Sequence, residues 1–191
     1  VVEPDLILIT HDHFDHVDEE LASLVEGTDA IIVAQPEVVG KLGETGIPED
    51  NFIFGMGMNI GGTVEEKGVE VRMVQAFHSA ECGAPAGYLI TTGDGTTIYH
   101  AGDTGAFPGM KMLGEMYDID VALLPIGSVF VMDPQQAAWA LTALEPEMAV
   151  PMHYGTFPIL VQDAGEFVRL ADEQAPGVDV QALQPGESLK L

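Results

Sequence analysis

Apolar residues in this chain fall into short runs broken by polar and glycine-rich stretches, and the spacing inside each run predicts strand or helix. Asp5 to Thr10 is mostly apolar and β-branched, bounded by Pro4 and a His/Asp cluster, and predicts a buried strand. Val17 to Val25 has helical spacing, with Asp18 placed to cap it. Ile31 to Ala34 predicts a second short buried strand, and Pro36 to Leu42 a short helix that starts at its proline. From Phe52 to Gly62, glycines, methionines and Asn59 interrupt any period, and short strands are expected there rather than a helix.

Strand patterns then follow one another at Thr63–Glu66, Val69–Ala76, Ala86–Thr91 and Thr96–His100, with turn signals at Glu66-Lys67-Gly68 and Thr92-Gly93-Asp94-Gly95. After them the rhythm changes to helix at Met110–Met116, strand at Val121–Leu124, helix at Pro134–Leu144, strand at Met148–Pro151, helix at Gly165–Glu173 and strand at Val180–Leu183. Hairpins in the middle with strand–helix alternation at both ends predict a sheet core covered by helices, α/β or α+β in class. There is no internal repeat or linker, so residues 1–191 are read as a single domain.

Composition changes this picture in one respect. Asp and Glu number 31 against 6 Lys and Arg, a formal charge of -25, yet 47% of the residues are hydrophobic and spread through the chain. The chain is therefore expected to fold, with the acid on its surface and counterions screening it. Such a surface points to a halophilic organism, an archaeon by expectation. Nucleic acid is not expected as a partner, because binding it rests on Lys and Arg at the phosphates. The single cysteine, Cys82, excludes an internal disulfide. No segment is long and apolar enough for a membrane helix, and VVEPDLILIT lacks the marks of a signal peptide. A cytoplasmic location is the expectation, and the abrupt opening strand reads like the interior of a domain.

The chemistry sits directly behind the predicted strands. His11-Asp12-His13-Phe14-Asp15-His16 puts three histidines and two aspartates in six residues. His11 and His13, two apart, would share a direction if strand geometry persisted, while Asp15 and His16 could face a second point nearby. Of the other histidines, His78 follows VRMVQAF and His153 follows MAVPM, and Asp103 lies just beyond TTIYH. Four strand ends thus deliver imidazole nitrogen and carboxylate oxygen, donors that suit a divalent cation. A crowd of uncompensated polar groups at one strand end is costly unless something binds it. Two cations can share an activated water, and Asp103 is the carboxylate placed to bridge them.

HDHFDH resembles the HxHxDH signature of the metallo-β-lactamase superfamily, and the later pieces occur in that superfamily's order. YHAGDTGAFPGMK, VALLPIGSVFVMDPQQAA and PMHYGTFPIL resemble its subgroup of UPF0173 metal-dependent hydrolases, a likeness covering Asp5 to about Leu160. The resemblance implies a four-layered αββα sandwich with the metals where two sheets meet. It also implies a family member lacking its first β-strands. By that resemblance, His11, His13 and His78 hold one metal, Asp15, His16 and His153 the other, and Asp103 bridges. Zinc is the expected ion, with manganese or iron as alternatives because no thiolate is required.

The remaining residues take smaller parts. Asp12 alternates away from His11 and His13 and is read as a solvated or loop-ordering carboxylate. His100 either orients a ligand or is structural, Thr104 is placed near Asp103, and Cys82 is read as an inert thiol rather than a ligand. Gly102 and Gly155 let backbone pass close to the metals. Phe77, Phe107, Phe130, Tyr154 and Phe157 are candidates to wall a pocket, Tyr154 and Phe157 foremost. Ser79 and Ser128 lack a recognisable base. The expected activity is therefore hydrolysis of a small-molecule ester or lactone by a metal-bridging hydroxide, with Asp15 relaying a proton and Tyr154 stabilising the oxyanion. A phosphodiesterase or nuclease on the same scaffold and a non-catalytic metal-stabilised module are the alternatives. A homo-oligomer is compatible with all three.

Overall fold

The computed structural model describes residues 3–191; the first two residues of the VVEPDLILIT segment lie outside them. Two sheets form. In the first, β1 (Leu6–Leu8) pairs in parallel with β2 (Ile31–Val33), connected through α1 (Glu20–Val25). Helix α2 (Pro36–Gly43) follows, its proline in the first turn as its missing N–H permits. The second sheet has seven strands in sequence order: β3 (Thr63–Glu66), β4 (Val69–Gln75), β5 (Ala86–Thr91), β6 (Thr97–His100), β7 (Val121–Pro125), β8 (Met148–Met152) and β9 (Asp179–Val180). Helices α3 (Gly109–Met116), α4 (Pro134–Leu144) and α5 (Gly165–Gln174) connect its parallel half.

Three apolar clusters arrange these elements in layers. Val33, Ile53, Val71, Met73 and Tyr88 pack with Leu6 and Leu8 between the sheets. Ile32, Val25, Val38 and Leu42 seal α1 and α2 onto the outer face of the small sheet. Tyr99, Leu124, Leu141, Leu144 and Phe167 seal α3, α4 and α5 onto the outer face of the large one. The order is helices, sheet, sheet, helices, the αββα sandwich that the resemblance implies. The parallel half of the large sheet is covered on both faces, whereas β3 and β4 turn Thr63, Glu65 and Glu70 to solvent.

Strand direction decides where the loops go. β4 and β6 both run antiparallel to β5, so they run parallel to each other, and β7 and β8 are parallel to β6. The C-terminal ends of β4, β6, β7 and β8 therefore lie along one edge. The Ala86 amide at the start of β5 donates to the Thr10 carbonyl at 2.9 Å and brings the end of β1 to the same edge.

Most of the predicted elements form within a residue or two of their predicted bounds. Phe52–Gly62 does not. It holds a 3-10 turn at Ile53–Gly55, following another at Glu49–Asn51, and its ladder contact is the single bridge from Phe52 to Ile32. Phe54, Gly55, Gly57 and Gly61 take positive φ, which breaks an extended strand. Gly57 is required there, since a Cβ would sit 2.5 Å from the Ala34 carbonyl. The last strand is two residues rather than the predicted four, and α1 begins at Glu20, where Asp18 accepts the Glu20 amide at 2.9 Å.

Tyr88 fastens the two sheets. It is buried, and its hydroxyl donates to the Ile9 carbonyl at 2.6 Å and lies 3.1 Å from the Val33 carbonyl. Ile9 directly follows β1 and Val33 ends β2, whereas Tyr88 belongs to the large sheet. Replacing Tyr88→Phe keeps the packing and strips that donor from the buried Ile9 carbonyl. Stability should fall by about 1–3 kcal/mol, read as a lower urea midpoint at unchanged slope. An unchanged midpoint would show that the apolar layer alone holds the sheets together.

Candidate metal centre

Every predicted ligand comes to the shared edge. His11, His13, Asp15 and His16 follow β1, His78 follows β4, Asp103 follows β6 and His153 follows β8. They converge on Asp103, whose Oδ2 lies 3.2 Å from His153 Nε2, 3.4 Å from His16 Nε2, 3.6 Å from His78 Nε2 and 4.0 Å from His11 Nε2. Asp15 Oδ2 lies 3.9 Å from Nε2 of both His16 and His153. His11 Nε2 and His13 Nδ1 are 3.0 Å apart.

The donor set suits divalent cations. Three trios have donor atoms within 4.8 Å of one another: His11, His13 and His78; Asp15, His16 and His153; and His11, His16 and Asp103. The third shares one member with each of the others, so Asp103 stands between two nitrogen-rich groups. Burial first, then the neighbouring His16, pushes the His11 pKa down to about 4, which leaves that ring neutral and able to donate a lone pair at pH 7. Burial likewise lowers His78. Burial alone would raise Asp103, but hydrogen bonds from His153 and His16 outweigh it and hold the carboxyl well below the ordinary range. The Asp103 hydrogen bond raises His153. The site thus keeps its carboxylate charged and its most buried imidazole neutral.

Backbone strain gathers at the same place. His153 has φ 54°, and Ser128 and Val129 have φ 63° and 57°. None is glycine, and each left-handed residue costs on the order of 1 kcal/mol or more. Gly127 carries the packing between them: a Cβ there would collide with the His153 carbonyl and approach His153 Nδ1 at 3.3 Å. Gly127 thus shapes the backbone beside His153. Gly102, at φ 63°, has the Ala86 carbonyl 2.5 Å from where a Cβ would be, so the close approach there is to the start of β5.

Asp12 is not solvated; it is the loop-ordering carboxylate. Its side chain is buried, with Oδ1 accepting the Glu81 amide at 2.8 Å and the Cys82 amide at 3.3 Å, and Oδ2 accepting Lys41 Nζ at 2.8 Å. The Cys82 thiol also donates to it at 3.2 Å. Burial and Asp12 push Cys82 up to about 11, so the thiol stays protonated and outside the donor cluster. Asp12 thereby clamps the HDHFDH loop to the loop after His78 and to α2. Lys41 was not foreseen; no local pattern pairs a helix lysine with an aspartate 29 positions earlier. His100 Nδ1 accepts the Gly102 amide at 3.1 Å in the turn before Asp103. Thr104 joins the His78 and Asp103 loops, accepting the Phe77 amide at 2.9 Å.

A cavity of about 560 Å³ opens over the cluster, lined by His13, Asp15, His78, Ser79, Asp103 and His153 on one side and Phe14, Phe130, Phe157 and Ile159 on the other. Phe107 is core, with Phe77 against it at a ring separation of 5.3 Å. Tyr154 does not line the cavity. It packs against the core and lines a neighbouring groove that also includes His153, Val168 and Pro185.

Residues 1–154 match the family model described as a beta-lactamase superfamily domain. A UPF0173 metal-dependent hydrolase of Nitratidesulfovibrio vulgaris is 47% identical over 188 residues, covering 98% of this chain and 78% of that protein. Another, from Pyrobaculum calidifontis, is 49% identical over 190 residues, covering 99% and 82%. Among solved structures, Igni18, a metallo hydrolase of Ignicoccus hospitalis, superposes with a TM-score of 0.86 at 38% identity, covering 98% of this chain and 79% of that one. Relatives from bacteria and Pyrobaculum do not support the halophilic archaeal origin expected from charge. Surface acidity is a solvation trait that can change without changing the fold, so it is a weak marker of lineage.

Replacing Asp12→Ala should destabilise the protein by about 2 kcal/mol at pH 7, because buried charge-assisted bonds are lost. Asp12 has a depressed folded pKa, with Lys41 the largest lowering influence. Its contribution is complete above the unfolded value of about 4 and fades as pH falls below it. Urea midpoints of the two proteins should therefore differ at pH 7 and converge on acidification. A constant gap across that range would mean that Asp12 acts by packing rather than by charge.

Proposed function

This chain belongs to the β-lactamase superfamily and, within it, to the UPF0173 metal-dependent hydrolases, and on that premise we propose that it hydrolyses a small-molecule ester or lactone with two divalent cations. The single observation that carries the reading is the placement of the donors. Five of the seven, His13, Asp15, His78, Asp103 and His153, line a cavity large enough for a small organic molecule. A metal used only to stabilise the fold would be expected in a closed site instead.

His11, His13 and His78 would hold one cation and Asp15, His16 and His153 the other, with Asp103 between them. Zinc is the proposed ion, with manganese or iron as alternatives for this nitrogen and oxygen donor set. Bound there, the cations would supply an acidified water as nucleophile near neutral pH and positive charge for the oxygen that becomes anionic.

The chain's own residues do the rest. The buried, neutral His11 is ready as a donor without first losing a proton, and Asp103 is held ionised by His153 and His16. Asp15 borders the cavity and is more exposed than Asp103, which makes its carboxylate the group placed to relay a proton to the product. Ser79 also lines the cavity but does not belong to an identified base–acid relay. Tyr154, which lines the neighbouring groove together with His153, is the residue proposed to stabilise the oxyanion.

Protein purified without a metal-chelating tag should carry close to two transition-metal ions per chain. Replacing Asp103→Ala should remove at least one of them and lower kcat/KM by a thousandfold or more, while metal analysis and circular dichroism separate that loss from unfolding. A screen of lactones, carboxylic esters, phosphodiesters and single-stranded RNA, in molar potassium chloride and in low salt, tests the substrate. Turnover of RNA or phosphodiesters without turnover of any ester or lactone would overturn the proposed chemistry. A metal-free but fully active wild type would overturn the proposed cofactor.

A further inference from the structure

The outer wall of the cavity is more apolar than a surface of this charge would suggest. Phe14, Phe130, Phe157 and Ile159 are 80%, 55%, 45% and 62% exposed, and all four line the cavity that holds the donor cluster. Among the described residues no Lys or Arg lines it; its charged groups other than histidine are Asp15 and Asp103. Large apolar side chains grouped at one opening, on a chain of net charge -25, mark a place where apolar surface is to be covered.

The wall is also built rather than loose. The Val161 amide donates to the Gly127 carbonyl at 3.0 Å, tying the loop that carries Phe157 and Ile159 to the loop that carries Phe130. Gln162 Nε2 donates to the Phe157 and Leu160 carbonyls at 2.9 and 2.6 Å, and the Gly155 amide donates to the Val161 carbonyl at 2.8 Å. On the other side, the left-handed Ser128 and Val129 immediately precede Phe130. Exposed apolar groups on a constrained backbone lose little freedom when they meet a ligand.

We infer that this mouth is a vestibule for an apolar substituent of the substrate, an acyl or alkyl chain of roughly six carbons or more beside the scissile bond. The inference rests on the hydrolase reading above and narrows it: the donor cluster takes the carbonyl end, and Phe14, Phe130, Phe157 and Ile159 cover the tail. Continuity of the apolar wall with the donor cluster in one cavity favours a small molecule over a protein partner, which would cover the rim without needing the floor.

The test compares p-nitrophenyl acetate with p-nitrophenyl octanoate on the metal-loaded full chain. Titration with octanamide and acetamide, which resist hydrolysis, gives a second readout of binding alone. The wild type should prefer octanoate by at least about tenfold in kcat/KM and bind octanamide, but not acetamide, in the millimolar range or tighter. Phe130→Ser and Phe157→Ser should each lower the octanoate-to-acetate ratio severalfold and weaken octanamide binding, with thermal midpoints close to wild type because both side chains are exposed. Equal efficiency on the two esters, or a ratio and an octanamide affinity that neither substitution changes, would overturn the vestibule and leave the hydrolase reading standing. Octanamide binding that responds to both substitutions, without turnover of any ester or lactone, would support the vestibule and defeat the ester and lactone reading.

Discussion

One carboxylate oxygen, Asp103 Oδ2, has four imidazole nitrogens within 4.0 Å of it, and the structure around it is arranged to make that crowding tolerable. Asp103 is itself buried, so its charge must be met locally. The imidazoles that meet it come from the ends of β1, β4 and β8, which requires these strand ends to share an edge with β6. The antiparallel β4–β5–β6 meander and the parallel β6–β7–β8 half together produce that edge. The Ala86–Thr10 hydrogen bond and the Tyr88 hydroxyl bring the small sheet to it. A shift of either sheet against the other would separate the histidines after β1 from Asp103.

Around the cluster, stability is given up in some places and recovered in others. Left-handed His153, Ser128 and Val129 carry strain, and Gly127 is the position without a side chain that lets the backbones of two loops meet. Asp12 works in the opposite sense. It draws three separate segments together through Lys41 and the amides of Glu81 and Cys82. The ligand loops are thus held by neighbours that donate nothing to the cluster, as supporting groups do around metal sites generally.

Charge separates surface from cavity. Five of the six basic residues pair with a nearby acid: Lys41 with Asp12 and Glu81, Lys67 with Asp29, Arg72 with Glu70, Lys111 with Glu115 and Arg169 with Glu173. None of the six faces the cavity. The acidic surface governs solubility and long-range repulsion of anions, whereas the cavity discriminates through donor geometry and apolar contact. Composition described the first and was silent on the second.

By itself the sequence carried the element types in its apolar runs and, through the resemblance of its motifs, the αββα class and the seven candidate donors. These are local properties: a strand shows its period, and a donor can be recognised by its position just past a strand end. Phe52–Gly62 was misjudged because buried Phe52 and Ile53 look like strand residues, while the positive φ of the glycines that bend them is invisible until Ala34 is beside Gly57. Only the tertiary structure decided that Asp12 is buried against Lys41, 29 positions away, and that Tyr154 turns to a neighbouring groove while Phe14 and Ile159 wall the cavity. Those outcomes depend on which loops become neighbours. That is set by the direction of whole strands and the register between two sheets, not by the residues on either side of the one in question.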